Sequence, residues 1–142
     1  MKRTNTLIRL RRFRVDDLKR RLATLDAMKA DVERKLADLE DSVTRERRRA
    51  GDSDIGRLAF PSFLRSIETR RENLRATQKD IERERAQAQE DLAGAYQDLK
   101  ALELAAEQQA KRAGEADTRR NQSRMDEMAL VRHLRKHALR SV

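Results

Sequence analysis

The chain has 142 residues, of which 42% are charged and 3% aromatic, with no Trp and no Cys. That composition excludes an ordinary globular core, a disulfide framework and a thiolate metal site. The net charge of +9 is uneven, with +7 on residues 1–21, +5 on residues 111–142 and −3 between them, so an acidic partner is drawn to the chain ends.

Low hydrophobicity with high charge is the composition of a disordered chain, but here the apolar residues recur at steps of three and four. The first predicted element is a helix over about 5–50. Its stripe reads Ile8, Arg11, Val15, Leu18, Leu22, Leu25, Lys29, Val32, Leu36, Leu39 and Val43, with long basic side chains as the only exceptions. A strip this narrow suits a helix that shares an a/d seam with one partner helix. The Arg-rich start lacks the apolar stretch and cleavage site of a secretory signal, so it reads as the first turns of this helix. No apolar run reaches the roughly 18 residues of a membrane span.

A turn is predicted over 51–60. Gly51 suits the left-handed position that ends helices, and Asp52, Ser53, Asp54 and Gly56 are turn formers. Pro61, the one proline, belongs in a first helical turn, which puts the start of the second helix near 60–62. That helix is predicted over about 61–138. Its seam is Leu64, Ile67, Arg71, Leu74, Gln78, Ile81, Arg85, Ala88, Leu92, Ala95, Leu99, Leu102 and Ala106, with polar residues at three successive a positions. Gly94 and Gly114 each cost about 1 kcal/mol against Ala, and Gly114 is the candidate for a kink.

A short turn makes the two helices antiparallel neighbours. For a turn centred near residue 55, facing residues have numbers that sum to about 111. Val43 then faces Ile67, Leu36 faces Leu74, Leu18 faces Leu92 and Val15 faces Tyr96, so the seams meet. The same register exhausts the first helix near residue 107 and leaves the second about 30 residues longer, on the order of 45 Å. The expected fold is all-α: a single domain, a long antiparallel two-helix coiled-coil hairpin whose second helix is the longer.

Few residues suggest chemistry. The four glycines are isolated, and Gly51–Gly56 lacks the lysine of a phosphate-binding loop. His133 and His137 have the spacing of two zinc ligands on one helix face, but the nearest acids, Asp126 and Glu127, lie almost two turns away. They read as solvated histidines in a basic helix end. Asp16/Asp17 and Glu40/Asp41 have no concave pocket to tune a carboxyl for acid–base work. No enzyme activity, cofactor or small-molecule substrate is expected.

Partner binding is the better expectation. Arg9, Arg11, Arg12 and Arg14 near the start, and Arg132 and Arg135 near the end, supply attraction. Nucleic acid would accept those charges, but no binding module or series of stacking aromatics accompanies them. An acidic protein or a membrane surface fits better, and a homo-oligomeric scaffold is a further alternative. Phe60, Phe63, Leu64 and Ile67 either staple the hairpin tip or expose an anchor there. Met125, Met128, Leu130 and Leu134, with Val131, have no opposing helix in a simple hairpin. Either the second helix folds back at Gly114 or this stripe docks into a partner.

The order of several strings carries a family likeness. These are Thr6-Leu7-Ile8-Arg9-Leu10-Arg11-Arg12-Phe13-Arg14-Val15-Asp16, the turn Arg49-Ala50-Gly51-Asp52-Ser53-Asp54 with Phe60-Pro61-Ser62-Phe63, then Arg70-Arg71-Glu72-Asn73-Leu74 and Met125-Asp126-Glu127-Met128-Ala129-Leu130. Over nearly its whole length the chain resembles the FliJ family of the flagellar type III export apparatus, in its alphaproteobacterial form. The resemblance implies a cytoplasmic antiparallel coiled coil similar to the central stalk of rotary ATPases. It also implies three partners: the export ATPase ring, entered by the terminal end of the hairpin, the cytoplasmic part of the membrane export gate, and export chaperones.

Overall fold

The structure, a computed structural model, describes residues 2–140. Two helices account for all of these but Ser53, α1 over Lys2–Asp52 and α2 over Asp54–Arg140. Chain contacts divide them into two units: Leu10–Gln97, and the described parts of Met1–Arg9 with Asp98–Val142.

In the first unit the helices pack antiparallel along the expected seam. Val15, Leu18, Leu25, Val32, Leu39 and Val43 of α1 are buried, as are Ile67, Ile81, Ala88 and Ala95 of α2. Leu22, Lys29, Leu36, Leu74, Gln78, Arg85 and Leu92 are half-buried between them. Leu39, Val43 and Ile67 form a tight cluster, with Phe63, Leu64 and Leu74 packed on it. The polar a positions are not gaps in this seam. Arg71 pairs with Glu40, Arg85 with Asp26 and Lys29 with Glu82, and the numbers in each pair sum to 111. The register follows from apolar matching and is marked along its length by these cross-helix ion pairs.

The turn differs from the expected 51–60. It consists of Ser53 alone: Gly51 and Asp52 finish α1 and residues 54–60 belong to α2. The Ser53 Oγ accepts the Gly56 N–H at 2.9 Å, and the Ser53 carbonyl accepts the Arg57 N–H at 3.1 Å. Ser53 is thus an N-cap, helped by Asp54 at the positive end of the helix dipole. This cap outweighs the proline signal, so Pro61 lies inside α2, beyond its first turn. Gly51 does not take the left-handed conformation expected of it, since no glycine among the described residues has positive φ.

Gly56 packs tightly against Ser53 and the last turn of α1. A Cβ there would lie 2.8 Å from Ser53 Oγ, 3.0 Å from the Arg49 carbonyl oxygen and 3.2 Å from the Ala50 Cα. The register predicts that Val15 faces Tyr96, but Tyr96 is exposed and the neighbouring Ala95 fills the seam position. The Tyr96 ring instead lies beneath the Lys19 ammonium, 5.3 Å from its centroid.

In the second unit Thr4, Ile8, Leu99, Leu102, Glu103 and Ala106 are half-buried. Past Ala106 every described residue except Ala116 is exposed. α2 runs through Gly114 without a break in its helical hydrogen bonding, so the expected alternative of a fold-back there is not adopted.

Candidate functional site

The surfaces available to a partner follow from what the seam leaves outside. Within Leu10–Gln97, the arginines Arg11, Arg12 and Arg14 are exposed around α1's early turns. A groove of 470 Å³ runs beside Arg14, over Leu18 and Ala88, with Asp17, Arg21 and Glu84 also on its walls. The small, buried Ala88 is part of its floor. Arg21 bridges the helices to Glu84 at 2.8 Å, so this wall is itself held by a cross-helix pair. Nearby, the Tyr96 hydroxyl's hydrogen bond raises the pKa of the Lys19 ammonium above its ordinary value, with a smaller contribution from Asp16.

At the turn the four apolar candidates are used unequally. Ile67 is 2% exposed, so it serves the core and presents nothing to a partner while the hairpin holds. Phe63 and Leu64 are half-buried on the same cluster. Phe60 stacks on Phe63 with ring centroids 6.4 Å apart, and the Arg47 guanidinium lies 6.0 Å above the Phe60 ring. These residues close the tip and leave part of each ring outside. The apolar residues most open at the turn are Ile55 and Leu58, 81% and 83% exposed, neither of which was among the residues expected to bind a partner. The available signal was that both fall outside either seam, between a strong cap and the proline.

Leu10 and Phe13 were missed for the same reason. They sit between heptad positions and are exposed.

In the second unit, Arg9 is exposed on α1. On α2, Met125, Met128, Leu130, Val131 and Leu134 are all exposed, as are Arg132 and Arg135. An open groove joins Met128 and Val131 to Arg124, Glu127, Arg132 and Arg135, which mixes apolar and basic contacts on one face. His133 and His137 pack edge to face with ring centroids 4.4 Å apart. Among the described residues no group of three or more His, Cys, Asp or Glu gathers as a metal site would require. No described helix is long and apolar enough to cross a membrane.

A two-helix antiparallel coiled coil with open grooves, basic ends and exposed apolar faces defines a protein of the interaction class, one that works through its surfaces. The profile of the family described as "Flagellar FliJ protein" matches residues 1–138, and the chain belongs to the FliJ family. It is therefore a component of the flagellar export apparatus, concerned with flagellum biogenesis and protein export. Neither the search of curated proteins nor that of solved structures returned a match.

Proposed function

We propose that this chain is a non-enzymatic, cytoplasmic stalk and adaptor of the export apparatus, peripheral at the inner face of the cell membrane. In this reading the end of the hairpin that carries the chain termini enters the export ATPase ring. Arg9, Arg11, Arg12, Arg14, Arg132 and Arg135 supply the attraction, and Met125, Met128, Leu130 and Leu134 supply apolar contact. The turn, with Phe60, Phe63 and Leu64 partly exposed, serves the export gate or the chaperones.

The observation that carries the reading is the placement of charge on a chain of this family: +7 over residues 1–21 and +5 over residues 111–142, against −3 between. Exposed charges of one sign act over about 10 Å in ordinary salt, so they speed encounter with an acidic lumen as well as hold it. The mixed apolar and basic face around Met128 supports docking of α2 rather than mere solvation.

A pull-down with purified export ATPase tests this. Reversing Arg9, Arg11, Arg12 and Arg14 to glutamate is expected to abolish capture and any stimulation of ATP hydrolysis at moderate salt. Undiminished capture by that variant overturns the assignment of this end.

A further inference from the structure

The face of α1 that carries Leu10 and Phe13 has no role in the hairpin. Counting 3.6 residues per turn, these side chains lie roughly 140° round the helix from the seam residues Val15 and Leu18. Both are more than half exposed, Leu10 at 59% and Phe13 at 58%. Arg14, Arg20 and Arg21 lie within roughly 70° of this face, whereas Arg11 and Arg12 lie roughly 130° from it, Arg11 on the seam side, all within a segment of net charge +7. Asp17 closes the patch a turn further on, paired with Arg20 at 3.7 Å.

We propose that this face binds an anionic lipid surface, with Phe13 and Leu10 entering the headgroup boundary and the arginines meeting lipid phosphates. A leucine and a phenylalanine flanked by arginines on a helix already formed is the arrangement of an interfacial helix. Each arginine near such a surface contributes about 1 kcal/mol of attraction, falling off within a Debye length. Charge complementarity selects an anionic surface, and the exposed apolar pair distinguishes a membrane from a nucleic acid, whose phosphates reward charge alone. The helix pays no ordering cost on binding, because the seam on its other side already holds it. The proposal stands apart from ring binding, since its test contains no ATPase. Because Arg14 serves both readings, the two partners compete for this end.

The test uses the full-length protein with vesicles of phosphatidylcholine alone, or with about one-third phosphatidylglycerol added. Sedimentation with the anionic vesicles only, lost as salt is raised, is expected. The chain has no Trp, so Phe13→Trp gives a single tryptophan, excited selectively over Tyr96, whose emission shifts to the blue on anionic vesicles. Leu10→Ser with Phe13→Ser is expected to weaken binding about tenfold or more. Helicity measured by circular dichroism confirms that this exposed pair leaves the fold intact. Three outcomes overturn the proposal: no sedimentation with anionic vesicles, equal sedimentation with neutral ones, or wild-type binding by the double serine variant with no shift of the tryptophan emission in the Phe13→Trp protein. If duplex DNA or an acidic protein is bound instead while vesicles are not, the face is a different kind of interface.

Discussion

Arg71 reaches from α2 across the hairpin to the carboxylate of Glu40, while its own Nε lies buried with no hydrogen-bond partner. One end of the guanidinium is satisfied and the other is not. The pair is therefore a marker of register more than a source of stability, because an unmet buried N–H offsets much of what a partly exposed ion pair contributes. Replacing Arg71 with leucine removes the unmet donor and adds an apolar seam residue next to Leu39. Thermal melting is expected to rise by several degrees, corresponding to about 1–2 kcal/mol. A fall in melting temperature would show that the Glu40 contact dominates.

Leu25 is the most deeply buried side chain in the hairpin, with no exposed surface. Truncation to alanine is expected to cost about 2–5 kcal/mol, as for a leucine whose surroundings cannot collapse around the void. Met28, exposed on the same helix, should tolerate alanine within about 0.5 kcal/mol. Urea unfolding of the two variants side by side checks the contrast.

Gly56 has no room for a side chain against Ser53 and the last turn of α1. Gly56→Ala must push the helices apart at the turn, despite alanine's better helix propensity, and is expected to cost about 1–3 kcal/mol. Ser53→Ala removes the cap on the Gly56 N–H and should cost about 1 kcal/mol, with Ser53→Asp close to neutral. A stabilised Gly56→Ala protein in denaturant titration would contradict the close approach.

Pro61 sits inside α2, where it can give no N–H to the helix. Pro61→Ala is expected to stabilise the helix by up to about 3 kcal/mol, and amide exchange around residues 57–65 should slow. Unchanged exchange there would mean that packing of Phe60 and Phe63 already holds this turn as firmly as the missing bond would.

Lys19 titrates above its ordinary value of 10.5, chiefly through its hydrogen bond with Tyr96. A folded pKa raised above the unfolded one contributes stability that is complete below the unfolded value. That contribution is lost as pH rises through the folded one, here above pH 10.5. Following the Lys19 side chain by NMR, Tyr96→Phe should lower the titration midpoint toward the ordinary value. No change would remove Tyr96 as the cause.

The seam was legible because it rests on one physical rule applied residue by residue. Every α2 position expected in it, from Leu64 to Ala106, is buried or half-buried, since a helix in water has only one economical way to hide a stripe this narrow. The turn was less legible. Glycine and proline signals pointed to 51–60, while a single serine with a free hydroxyl and an acidic neighbour allowed α2 to begin seven residues earlier. Local propensities compete there, and the sum of cap, dipole and close approach decides. The candidate surfaces were half legible. Their charges stand in the sequence, but the withdrawal of Ile67 into the core and the exposure of Ile55, Leu58, Leu10 and Phe13 depend on which side of each helix is covered.

The sequence by itself determined that this chain is helical, that it pairs with itself in antiparallel register, and that its positive charge lies near its ends, because periodicity, composition and charge are properties of the chain alone. The tertiary structure decided which of the apolar residues outside the heptad face water, how tightly the turn closes, and which arginines reach across to a carboxylate. Those outcomes depend on distances between segments far apart in the chain, and only the packed pair of helices sets them.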